Sequence, residues 1–96
     1  MLRFDLSLPT PGAIDVVTRE IAVKIDDNDE DIRQLGGGEV VSAGYAGNDG
    51  AVVQARLVDV DDAGNRSEPR EQTWTLVDTL PPPQPGEMGI VITGED

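Results

Sequence analysis

The chain contains no cysteine and no histidine. The first absence excludes disulfides and thiol nucleophiles. The second removes the side chain that most often acts as a general base near neutral pH, and together they remove the common transition-metal ligands. A composition free of cysteine suits oxidising and reducing compartments alike, so it gives no address. Basic residues are scarce as well: seven Lys and Arg stand against 19 Asp and Glu, for a formal charge of −12. A surface of that sign repels phosphate backbones, so nucleic acid is not an expected partner. Aromatics are reduced to Phe4, Tyr45 and Trp74. No apolar run approaches the roughly 20 residues of a membrane-spanning helix, and residues 1–8 lack the continuous apolar stretch of a secretory signal. A soluble chain with no membrane partner is expected, in a virion or the cytoplasm if full-length, and extracellular if excised from a larger protein.

What is present is aliphatic and alternating. A chain of 96 residues has the size of one domain, and its 38% hydrophobic content lies mainly in Val, Ile, Leu and Ala, which predicts one thin core. Leu2, Phe4, Leu6 and Leu8 alternate with Arg3, Asp5 and Ser7, the period of a strand with one buried face. Pro9, Pro11 and Gly12 stop it. From Ile14, the residues Val17, Ile21, Val23 and Ile25 share one parity, and β-branching favours strand over helix. The acidic run at residues 26–31 ends this second strand.

Residues 32–35 admit either a turn of helix or a short edge strand, before Gly36, Gly37 and Gly38. Val40, Val41, Ala43 and Tyr45 suggest a third strand. Asn48-Asp49-Gly50 is a hairpin signal between two β-rich runs. Residues 51–60 form the next strand, with Val53, Ala55 and Leu57 on one face. A turn at residues 61–65 leads to a strand at residues 71–77 that places Trp74 and Leu76 near the core. Pro81, Pro82, Pro83 and Pro85 mark a stiff extended segment, and Ile90, Val91 and Ile92 make a last short strand. The organisation expected is a β-sandwich over residues 1–80, a proline-rich segment at 81–86, and a strand at 87–96 docked on its own sheet or on a neighbour. With no helix-period segment, the expected class is all-β, an antiparallel sandwich of about six to seven strands.

Two motifs carry a resemblance. Asp61-Asp62-Ala63-Gly64-Asn65-Arg66-Ser67-Glu68-Pro69, followed by Asp78-Thr79-Leu80-Pro81-Pro82, resembles the C-terminal half of a fibronectin type III-like or immunoglobulin-like domain of the bacterial or phage-associated type. The match covers about a third of the chain. It departs from the pattern in lacking an early core tryptophan, in having Val53 where an aromatic is usual, and in placing Asp59 where a small apolar residue is typical. In tandem arrays of such domains the prolines introduce the first strand of the next domain, and residues 87–93 resemble such a strand.

The candidate chemistry is sparse. Asp27, Asp29 and Asp31 begin a calcium-loop spacing, but Ile32 stands where glycine is needed and Gly38 where the bidentate acid belongs. Asp59 and Asp61, with Asp62, make a second partial match. The expected cofactor set is therefore none, with calcium a weak alternative. Paired carboxylates for acid–base work need one partly buried member, whereas these acids cluster in loops, so no enzyme is expected. Tyr45, beside Gly44 and Gly47, is the candidate exposed contact residue, and Ile90 and Ile92 are candidate partner contacts through the last strand. Trp74 is expected as core filler in preference to a ligand platform. The expected function is a non-enzymatic structural or interaction module, as in a phage virion or similar assembly, with protein partners or self-association. The alternatives are an extracellular adhesion or carbohydrate-binding module and a weak calcium-binding sandwich.

Overall fold

The computed structural model describes residues 1–11, 15–77 and 86–95. Among these residues there is no helix, and seven strands form: β1 (Leu2–Ser7), β2 (Val16–Ile25), β3 (Asp31–Gly36), β4 (Val41–Gly47), β5 (Val52–Asp61), β6 (Arg70–Thr75) and β7 (Gly89–Glu95). They build two antiparallel sheets, one ordered β4-β1-β7 and the other β3-β2-β5-β6. The all-β class and the strand number are those the alternation predicts. Residues 32–35 resolve as edge strand β3, not as a helical turn. The proposed boundary near residue 80 and, apart from Gly86, the proline-rich segment at 81–86 lie outside the described residues.

The two-residue period explains why both sheets have an apolar face. On β1 it turns Leu2, Phe4 and Leu6 inward. On β2 it does so for Ile21 and Val23, and on β5 for Val53, Ala55 and Leu57. These side chains merge with Leu8, Tyr45, Leu76, Met88 and Ile90 in one cluster, against which Ile25, Leu35, Trp74 and Ile92 are partly buried. One cluster is drawn from both sheets, a sandwich-like arrangement. Each large side chain so buried contributes about 1.5–3 kcal/mol, which is how an aliphatic core with few aromatics suffices.

Two local expectations are corrected, those for Val17 and for the turn at residues 48–50, and β4 carries an irregularity. Val17 shares parity with Ile21 yet is exposed, because the β2–β5 register shifts between Val16 and Thr18 and turns the strand end over. On β4, Val41 and Ala43 face outward while Ser42 and Tyr45 are buried. Gly44 takes a φ of +89° there, and the β1–β4 register slips between Phe4 and Leu6, so the inward spacing becomes three residues. The Asn48-Asp49-Gly50 turn exists, with Ala51 N–H donating to Asn48 O at 3.0 Å, but it is no hairpin. It carries the chain from β4 in one sheet to β5 in the other. Turn chemistry specifies a reversal; it does not specify which strands then pair.

Of the three consecutive glycines, Gly37 is the one the fold requires. A Cβ at this position would overlap the backbone of Val16 at the start of β2. Its missing side chain lets the end of the β2–β3 hairpin close tightly.

Candidate functional site

The acidic candidates do not converge. Asp27 and Asp29 are exposed in the loop between β2 and β3. Asp31 begins β3 and accepts two bonds from Arg33, at 3.2 Å from Nε and 3.0 Å from Nη2. Asp59 lies on β5 and accepts from Arg19 Nε at 2.7 Å. Asp61 anchors the turn that follows β5: it accepts from the N–H groups of Ala63 and Asn65 at 3.0 and 2.8 Å and from Asn65 Nδ2 at 3.0 Å. Among the described residues no three acids assemble into a metal-holding group. The sequence spacing that suggested calcium ligands instead places Asp31, Asp59 and Asp61 in three separate structural roles.

The turn has a consequence in acid. The bonds from Asn65, first its side chain and then its backbone, hold the Asp61 carboxyl below its ordinary range. The Arg66 guanidinium, bonded at 2.6 and 2.9 Å, does the same for Glu20. A carboxylate whose folded pKa is depressed stabilises the fold above its unfolded pKa, about 4, and that contribution is lost as pH falls through the folded value. Denaturant midpoints measured from pH 6 downward should therefore drop less steeply for Asp61→Asn than for the unmodified chain. Parallel curves would show that the turn carboxylate contributes nothing to acid sensitivity.

Tyr45 was expected at the surface, and the structure overturns that expectation: the residue is only 4% exposed. Its ring stacks on Phe4 with centroids 5.5 Å apart. Its hydroxyl shares a 2.6 Å hydrogen bond with Ser42 Oγ, also buried. Burial raises the phenol pKa, with the Ser42 bond and the Arg33 charge opposing. Of the glycines beside Tyr45, Gly44 supplies the positive φ of the β4 bulge, and Gly47 is buried where a Cβ would crowd Leu76 and Ile25. Tyr45→Phe should cost about 1–3 kcal/mol, because it strands the Ser42 hydroxyl inside the core, and adding Ser42→Ala should recover part of it. Thermal denaturation of the two variants measures this; a single variant as stable as the parent would refute the buried bond.

Ile90 is buried and Ile92 partly so, both within the core, whereas Val91 between them is 47% exposed. Thus β7 lies on this chain's own sheet, antiparallel to β1, with Phe4 opposite Ile92 and Leu6 opposite Ile90. The strand is fastened at its start by Gln72 of β6, whose Oε1 accepts from Met88 N–H at 2.7 Å while its Nε2 donates to Met88 O at 3.2 Å. This amide joins the two sheets along the β6/β7 side. On the β3/β4 side Arg33 does the corresponding work: it donates to the Ala43 carbonyl and lies 4.2 Å over the Tyr45 ring. Trp74 is half-buried against the core.

The sequence reading missed Arg19, which is only 1% exposed yet charged. It sits on β2 opposite Asp59 on β5, and besides bonding that carboxylate it donates Nη1 to the Glu39 carbonyl at 2.7 Å. Asp59 neutralises a buried guanidinium on the neighbouring strand. The signal was visible, since Arg19 shares parity with Ile21 and Asp59 with Leu57. Only the strand pairing shows that the two exceptions compensate.

Among the described residues no helix is long and apolar enough to cross a membrane. Comparison of the chain with protein-family models, curated proteins and solved structures found no match.

Proposed function

We propose that this chain is a non-enzymatic structural module of the fibronectin type III-like kind that works by associating with further copies of itself in a larger assembly. The observation that carries the reading is how the inward polar groups are used. Arg19, Ser42, Asp59 and Gln72 all bond within the chain, and among the described residues no buried side-chain nitrogen or oxygen lacks a partner. Catalytic sites hold donors or acceptors in readiness for a reacting group; here such atoms are saturated by the fold. The resemblance agrees, in that the Asp61-to-Asn65 motif forms the reversal between β5 and its antiparallel partner β6. Among the described residues the two sheets also leave the edge strands β3, β4, β6 and β7, and an edge with unpaired N–H and C=O groups is a template for a further chain.

Light scattering on the full chain, from dilute solution to its highest soluble concentration, tests this. A mass that rises above one chain is expected. A mass of one chain throughout contradicts the reading.

A further inference from the structure

β7 is an edge strand: among the described residues it pairs with β1 alone, and it lies on the far side of β1 from β4. Lifting it away breaks no other strand pairing. What it contributes is nevertheless substantial: Met88 and Ile90 sink into the core, Ile92 packs beside them, and Gln72 grips the Met88 backbone at both its N–H and its carbonyl. The β1 edge without β7 would present unpaired backbone groups and the uncovered flanks of Phe4 and Leu6, a slot that is costly to leave in water.

The occupant that fits this slot is known, because the structure shows it. It is a strand that turns isoleucines at alternate positions inward, enters through a methionine clamped by Gln72, and runs antiparallel to β1 with Val91 opposite Asp5. Every copy of the chain carries one such segment. A second copy's β7 would make the same contacts, residue for residue, so exchange sacrifices no contact and changes only the connection.

We infer that β7 is an exchangeable strand: the β1 edge of one copy receives the β7 of a second copy, in the antiparallel register seen within the chain. This deepens the self-association reading and rests on it. A tethered strand competes for its own slot at an effective concentration of about millimolar, so exchange grows with protein concentration. Reciprocal exchange closes a two-fold dimer, and one-way exchange propagates a chain of copies.

The absence of native cysteine makes the test clean. Asp5 and Val91 are opposite one another on β1 and β7. In one full-length variant, Asp5→Cys and Val91→Cys are combined and oxidised in dilute solution, which locks β7 at home. Exchange predicts that this oxidised chain keeps a one-chain mass at concentrations where the unmodified chain associates, and that reduction restores association. If the locked chain associates as fully as the unmodified one, exchange is overturned while self-association through another surface stands. If neither associates, both readings fall.

A second arm does not depend on the lock. Chains carrying Asp5→Cys alone and Val91→Cys alone are mixed at high concentration, unfolded, refolded together and oxidised. Exchange predicts that disulfides joining the two different variants exceed the share that random pairing of an equal mixture gives. A product distribution no different from random pairing overturns the inference.

Discussion

Asp59→Ala is expected to destabilise the chain by about 3–5 kcal/mol, the cost of leaving a buried charge without its partner. Arg19 is the larger of the two groups and is almost wholly enclosed, whereas Asp59 retains some access to solvent. Removing the carboxylate leaves the guanidinium bonded to the Glu39 carbonyl, a neutral group that cannot offset a full charge. Such a loss is a large fraction of the 5–15 kcal/mol that holds a domain of this size together, so the variant should unfold at much lower urea concentration. Replacing both residues, Arg19→Met with Asp59→Leu, should recover most of the loss, because a well-packed apolar pair avoids the desolvation penalty altogether. Urea denaturation of the single and double variants measures both effects. A shift under about 1 kcal/mol for Asp59→Ala, the size of an exposed ion pair, would show that solvent reaches Arg19.

The second large effect follows from the seam between β1 and β7. A chain lacking residues 86–96 should lose on the order of 5 kcal/mol, from the burial of Met88 and Ile90, part of Ile92, and the newly exposed flanks of Phe4 and Leu6. The backbone ladder to β1 and the Gln72 bonds are lost as well. Thermal denaturation should show a melting temperature lowered by tens of degrees or no cooperative transition at all, on the scale of several degrees per kcal/mol for a domain of this length. A melting curve identical to the parent's would mean that β7 contributes nothing to the core.

How much of this was legible in the residues depends on the range of the interaction. Alternation reports a local backbone period, so β1, β5 and the strand character of β2 and β6 could be read directly from Leu2 to Leu8, Val53 to Leu57 and their like. Asn48-Asp49-Gly50 could be read as a reversal, but whether β4 then meets β5 in one sheet is decided by where the apolar faces must go, which a local motif does not encode. Tyr45 went to the interior because one positive-φ glycine resets the parity of β4; a bulge of that kind cannot be foreseen from alternation, which assumes there is none. The acidic residues illustrate the same limit for the candidate site. Their spacing suggested a cation, yet it is Arg19, Arg33 and the Asn65 amide, remote or turned by the fold, that determine what Asp59, Asp31 and Asp61 do.

The separation of β7 from its partner is the longest such case, since Ile90 meets Leu6 across nearly the whole length of the chain. Sequence marked the segment as a strand and left open what it pairs with. The answer emerges only from the sheet order, where its last residues lie against the first residues of β1, Glu95 opposite Leu2. That adjacency is why the strand completes the fold.

The most direct test of the account is the measurement of cross-strand proton contacts by nuclear Overhauser spectroscopy on isotope-labelled full-length chain. The account predicts backbone contacts linking Asp5 with Val91 and Phe4 with Ile92, together with those linking Arg19 with Asp59. Residues 89–95 showing no contact to β1 and amide exchange at the rate of an unstructured peptide would contradict it.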